Sequence, residues 1–244
     1  MLFLFPPDPF FPKCPDEMFK DQFQAFQKAG FNVTLQLSGS ETVIYRGWML
    51  TPEEYAKEFL GKPMLTSPQE YKAAHHLPEW YETIKDLTPK TFFFSPDGTG
   101  LESFFINNPG VYFIKDFVKS QGPNSIVSTY QEAQNLMSRM LDYRDIIEGG
   151  LCVRVFEDFK IETETRFFVL RGKVHAPKDT PLEALQLAEQ CAQRFTLPFF
   201  SIDVIRRAVD GCYRVVEIGD GQVSDLKGTW TVTDFVEIFN HARF

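Results

Sequence analysis

Phe199-Phe-Ser-Ile-Asp203-Val-Ile-Arg206 and Cys212-Tyr-Arg-Val-Val-Glu217-Ile218 are two β-rich runs on either side of a turn at Asp210-Gly211. They read as a β-hairpin, and the loop length decides what faces what. A two-residue loop, Asp210-Gly211, pairs Val209 with Cys212 and sets Asp203 against Ile218. A three-residue loop, Val209-Asp210-Gly211, pairs Ala208 with Cys212 and sets Asp203 directly opposite Glu217. Gly211 then takes the left-handed position that such loops reserve for glycine. Two facing carboxylates repel each other, and a divalent cation relieves the conflict. Oxygen-only ligands suit Mg2+ or Mn2+ held partly by phosphates. Asp220 is a candidate third carboxylate. In the other register, Asp203 and Glu217 are unrelated surface acids. Spacing alone leaves both registers open.

Elsewhere, cations interrupt apolar strands. Lys115 lies inside Val111-Tyr-Phe-Ile-Lys-Asp-Phe117, and Arg154 inside Leu151-Cys-Val-Arg-Val-Phe156. Arg166 opens Arg-Phe-Phe-Val169, and Lys90 precedes the run Thr91–Phe94. A charged residue in such a run suits a cleft or an edge. Together the four are candidates to converge on phosphate, with Lys as a point charge and Arg as a fork. Each taken singly reads as a solvated strand residue. The chain has neither GxxxxGK[ST] nor a helix-opening GxGxxG, so a P-loop and a dinucleotide fingerprint are both excluded.

The remaining punctuation outlines the architecture. Met1–Phe5, a helix with Phe19, Phe23 and Phe26 on one face, and strands at Asn32–Gln36 and Thr42–Trp48 form a βαβ start. Thr51-Pro-Glu-Glu54, Ser67-Pro-Gln-Glu70 and Thr180-Pro-Leu-Glu183 each read as a capping box with Pro at the first helical position. Ser128-Thr-Tyr-Gln131 is a weaker version. A hairpin at Arg166–Ala176 and a helix near Asp234–His241 complete the chain. Ser95–Pro109 and Ser120–Ser125 read as surface loops. His75-His76 reads as surface, because adjacent helical residues do not face each other. His175, in the middle hairpin, is a weak candidate to approach a cleft.

Composition narrows the classes. The 244 residues carry 25 Lys and Arg against 33 Asp and Glu, for a net charge of −8. This argues against a nucleic-acid binder relying on bulk charge. The 26 Phe read as core. Four scattered cysteines with no CxxC exclude a zinc-ribbon pattern. The apolar Met1–Phe5 stops at Pro6-Pro7 without a basic flank, which is too short for a signal peptide. No run of 18 uncharged apolar residues exists. The expectation is a cytoplasmic protein with no membrane partner.

The ordered set of motifs resembles the ATP-grasp superfamily. The likeness extends to its divergent clade containing the eukaryotic cell-division-cycle protein of initiation-factor assembly. The motifs are Thr88-Pro-Lys-Thr91, Tyr112-Phe-Ile-Lys-Asp116, Gly150-Leu-Cys-Val-Arg-Val-Phe156, Glu164-Thr-Arg-Phe-Phe-Val169, Ser201-Ile-Asp-Val204 and Val216-Glu-Ile-Gly-Asp-Gly-Gln222. Asp8-Pro9-Phe10 and Asp16-Glu17 match that clade's opening. The resemblance implies α+β lobes: a Rossmann-like lobe over 1–88, a central lobe over 89–152 and a C-terminal lobe over 153–244. It implies ATP between the lobes. Lys90, Lys115 and Arg166 would lie on the phosphates, and Arg154, Val155 and Phe156 beside the base. Asp203 and Glu217 would hold Mg2+. Where many relatives have Asn, this chain has Gly219, so Asp220 is the candidate replacement. The implied chemistry is carboxylate activation by ATP, followed by attack of an amine or thiol, with a peptide or protein among the acceptors. Ser120–Ser125 would be the lid. The clade's assembly factor supplies the alternative, an ATP-binding module without ligase turnover.

Overall fold

The computed structural model describes residues 1–240. The opening residues form the expected βαβ unit: β1 (Leu2–Leu4), α1 (Lys20–Lys28), β2 (Asn32–Thr34) and β3 (Val43–Tyr45). These strands make a parallel sheet in the order β2-β1-β3. α2 (Pro52–Glu58), α3 (Pro68–His75) and α4 (Leu77–Ile84) follow. Thr51 and Ser67 cap α2 and α3, with Glu54 and Glu70 reaching back. Each pair satisfies donors at the helix start that would otherwise lack partners.

The middle lobe contains β4 (Thr91–Phe94), α5 (Leu101–Asn107), β5 (Tyr112–Asp116), β6 (Ile126–Val127), α6 (Tyr130–Arg144) and β7 (Leu151–Val155). Its antiparallel sheet has the order β4-β7-β5-β6. The expected loop Ser95–Pro109 therefore contains a helix. Gly100 starts it at φ +84°, and Leu101 and Phe105 bury one face, the i, i+4 spacing that pairs residues on one side of a helix. The capping box before α6 lies one residue later than expected: Thr129 is the cap and Glu132 the returning acid.

The last lobe contains β8 (Phe159–Leu170), β9 (Lys173–His175), α7 (Leu182–Ala192), β10 (Phe199–Arg207), β11 (Tyr213–Asp220) and α8 (Val232–Asn240). The sheet order is β11-β10-β8-β9. No capping box forms at Thr180. Its hydroxyl donates to the Pro177 carbonyl at 2.7 Å, and α7 begins after Pro181 without a side-chain cap. His241, the end of the expected last helix, lies outside the described residues.

Two cores join the lobes. Trp80 and Ile84 of α4 pack with Phe167, Phe200, Ile202 and Ile218 of the last sheet. Phe3 and Phe26 of the first lobe pack with Phe168, Phe199, Phe235 and Phe239. The Phe3 and Phe26 rings lie 4.2 Å apart and those of Phe168 and Phe235 4.8 Å apart. Much of the Phe-rich composition therefore serves a lobe junction. β7 also crosses the expected division after residue 152, because Leu151–Val155 is one strand of the middle sheet. Among the described residues, no helix is long and apolar enough to cross a membrane.

Candidate active site

Asp203 pairs directly with Glu217 across β10 and β11, but neither loop register produces this. The Arg207 N–H donates to the Cys212 carbonyl at 2.8 Å, so the turn is Ala208-Val-Asp-Gly211, with Gly211 at φ +75°. Near that turn, Val204 pairs with Val215. A β-bulge then inserts Val216 into β11 and returns Asp203 to Glu217. The bulge also frees the Val216 carbonyl, which accepts from Arg154 Nη1 at 2.7 Å.

Cations from two sheets meet these acids. Lys115 Nζ on β5 donates to Glu217 Oε1 at 3.0 Å. Arg166, opposite Asp203 on β8, donates Nε to Oδ1 at 2.8 Å and Nη2 to Oδ2 at 2.7 Å. Arg166 Nη1 also reaches Asp225 Oδ1 at 2.6 Å. Burial alone would raise the Glu217 pKa. The Lys115 and Arg166 charges outweigh it and hold the carboxyl down near 2. Burial likewise opposes the Arg166 charge, but Asp203 more than offsets it and raises the guanidinium pKa.

The other expected residues divide. Lys90 is exposed just ahead of β4, its Nζ 5.0 Å from the Phe92 ring centre. Arg154 is buried and structural in its contacts, donating to Val216 and, at 2.6 Å, to Thr88 Oγ1. The Val155 and Phe156 N–H groups already donate to the Lys90 and Val111 carbonyls at 2.8 and 3.0 Å, so neither donor is free for a base edge.

Asp220 does not join Asp203 and Glu217. It lies three residues beyond Glu217, and strand alternation sends its side chain to the opposite face. There Oδ1 accepts from Gln222 N and Nε2 at 2.9 and 3.2 Å. Burial pushes its pKa up to about 7. Gly219 has a steric cause as well. A Cβ there would stand 2.9 Å from Ser201 Oγ and 3.2 Å from Ser224 Oγ, two hydroxyls hydrogen-bonded at 2.8 Å.

The histidines also differ from expectation. His75 and His76 are both buried, because α3 and α4 pack inward at their junction. His76 Nε2 lies 3.2 Å from Glu148 Oε1, and Arg144 joins Glu148 to Asp116, the neighbour of Lys115, at 3.1 and 2.9 Å. His175 lies on β9, at the sheet edge opposite β11 and away from the carboxylates. Ser120–Ser125 contains a short 3-10 turn closed by Gln121 N–H on Ser125 Oγ at 2.8 Å.

Sequence reading missed Lys227, Glu164 and Asp225. Lys227 Nζ donates to Asp203 Oδ2 at 2.6 Å and to Glu164 Oε1 at 2.7 Å. The tail holding Asp225 and Lys227 has no periodicity that would have marked them.

The donor set fits Mg2+. Asp203 and Glu217 are opposed carboxylates with oxygen donors only, the ligand type that hard cations prefer. Among the described residues, no three of His, Cys, Asp or Glu converge as a metal cage. Two carboxylates with phosphate oxygens and water match the usual way that Mg2+ is held.

Residues 105–238, more than half of the chain, match a family described as an ATP-grasp domain, the third family of its clade. The chain belongs to that family. Solved structures share the fold across nearly the whole length. D-cycloserine synthetase DcsG is 14% identical, with 99% of each chain covered and a TM-score of 0.64. A RimK domain ATP-grasp protein from Sphaerobacter thermophilus is 14% identical, covering 97% of this chain and 98% of that one, with a TM-score of 0.63. The ATP-grasp ligase PsnB, solved with precursor peptide PsnA2 and AMPPNP, is 12% identical, covering 98% of this chain and 97% of that one, with a TM-score of 0.60. No curated protein matches.

Proposed function

We propose that this chain is an ATP- and Mg2+-dependent ligase that activates a carboxylate for attack by an amine or thiol. The observation carrying this reading is the Asp203–Glu217 pair, contacted from one lobe by Lys115 and from within its own sheet by Arg166. Opposed acids bracketed by cations suit a metal–triphosphate, which brings compensating charge of both signs. Mg2+, or Mn2+ in its place, would be held by Asp203 and Glu217 and would neutralise charge on the transferring phosphoryl group.

The chain's own residues position and screen. Lys115 and Arg166 draw the phosphates into the cleft, with Lys90 at its edge. A substrate carboxylate oxygen attacks the γ-phosphorus, and ADP leaves. The amine or thiol then attacks the acyl carbon, loses its proton and expels inorganic phosphate. Ser120–Ser125 is the segment that would cover the acyl phosphate against water. A peptide or protein acceptor is the favoured class. It is supported by fold likeness to PsnB, which was solved with a precursor peptide, and by the motifs linking the chain to the cell-division-cycle clade. Four free cysteines support a cytoplasmic setting.

Calorimetric titration with ATP, with and without Mg2+, tests the site. Mg2+-dependent binding that is lost in Asp203→Ala and Glu217→Ala is the expected result. Unchanged affinity in both variants refutes the assignment. Release of ADP that requires an added carboxylate and amine would establish the ligase, whereas tight binding without turnover would favour an ATP-gated binding module.

A further inference from the structure

Asp203 is 1% exposed, and both its oxygens are already contacted. Oδ1 accepts from Arg166 Nε, while Oδ2 accepts from Arg166 Nη2 and Lys227 Nζ. A cation approaching Oδ2 must displace one of these donors. Arg166 is anchored twice more, on the Asp225 side chain at 2.6 Å and its carbonyl at 3.1 Å. Lys227 is held only by Asp203 and Glu164, and the Lys227 and Glu164 side chains are 29% and 30% exposed. A single ammonium on a flexible stem yields more readily than a bidentate guanidinium.

The backbone favours the same choice. Lys227 has φ +43° and Gly228 φ +65°, so Lys227 occupies a conformation that costs a non-glycine residue energy. The start of the same segment is pinned. Arg46 Nη1 donates to the carbonyls of Gly221, Gln222 and Ser224 at 2.8, 2.6 and 3.1 Å. The segment is thus fixed at its base and strained at Lys227.

We propose that Lys227 is the placeholder cation of the metal site. It holds Asp203 Oδ2 until a divalent cation takes that oxygen, and then moves onto the triphosphate that arrives with the metal. The proposal rests on the Mg2+·ATP reading above. It makes Lys227 a positioning residue with two effects of opposite sign. Lys227 competes with the free metal and assists the metal–nucleotide complex.

The test uses the full chain, Mn2+ as probe and electron paramagnetic resonance as readout. Lys227→Met is expected to bind Mn2+ about tenfold more tightly than the native chain without nucleotide, the effect of losing one charged hydrogen bond. At saturating Mn2+, it is expected to bind AMPPNP about tenfold more weakly. Lys227→Arg should return both values toward native. Unchanged or weaker Mn2+ binding in Lys227→Met overturns the proposal, because a merely structural lysine has no reason to compete with metal.

If Lys227→Met does not fold, the native chain still decides. Its Lys227 13Cε resonance should shift when Mg2+ and AMPPNP are added together, and a resonance that stays in place overturns the proposal. A native chain that fails to bind Mn2+·AMPPNP at all refutes the ligase reading. In that case the nucleotide-free comparison of the two chains still decides the placeholder role.

Discussion

Asp203 stands opposite Glu217 because two irregularities in one hairpin cancel. The four-residue turn Ala208–Gly211 moves the register by one, and the extra residue Val216 moves it back. The inserted residue then supplies the carbonyl that receives Arg154 from the middle sheet. One bulge thus aims two carboxylates and ties the lobes together, as expected of bulges that re-aim side chains beside active sites.

Lys115→Met should weaken ATP binding about 10- to 100-fold, the scale of a lost charge-assisted hydrogen bond in a cleft. Adenosine affinity should change little, because Lys115 faces Glu217 and not the linker after β7. Calorimetry with both ligands checks this. Equal losses would remove Lys115 from the phosphate site.

Arg154→Met should leave the Val216 carbonyl and Thr88 Oγ1 without their donor. The expected loss is about 2–4 kcal/mol for two buried acceptors. Urea unfolding measures it. A loss below about 0.5 kcal/mol, the scale of ordinary surface substitutions, would show that the bulge does not depend on Arg154.

Gly219→Asn restores the side chain that many relatives carry, yet it should not tighten metal binding. Its Cβ would enter the Ser201–Ser224 hydroxyl pair, at a cost of about 1–3 kcal/mol for overpacking. Adding Ser201→Ala should recover part of that stability. Increased Mg2+ affinity in Gly219→Asn alone would contradict the steric account. Thermal unfolding and metal titration report the two quantities separately.

Asp220 gives a pH dependence of defined sign. Its pKa is about 7 in the folded chain against 3.8 for the free side chain. The folded state therefore holds a proton that the unfolded state lacks between about pH 4 and 7. This contribution to stability falls as pH rises through that window and is flat above it. His75 slopes the other way, because burial lowers its pKa from 6.5 to about 4. Asp220→Asn leaves His75 unchanged, so the difference between variant and native chain isolates Asp220. The variant should be the more stable of the two at pH 8, with the gap closing toward pH 4. A gap that does not change with pH would mean that Asp220 keeps its ordinary pKa.

The local patterns were legible because local physics produces them. Thr51 and Ser67 cap their helices through contacts three residues away. The βαβ start follows from apolar spacing, and Lys115 and Arg166 were conspicuous as charges inside apolar strands. Sequence alone set most of the elements within each lobe and marked Asp203, Glu217, Lys115 and Arg166 as candidates. Packing of the lobes set which of them meet. Lys115 and Glu217 are 102 residues apart, and no local pattern encodes that separation. The bulge at Val216 was invisible because any residue can be the extra one, while its consequence depends on a neighbouring sheet. Asp220 looked like a ligand until strand alternation turned it away. The burial of His75 and His76 came from helix packing, and Lys227 reached Asp203 through an irregular segment. Each of those outcomes depends on which surfaces cover one another, and that is settled only when the lobes pack.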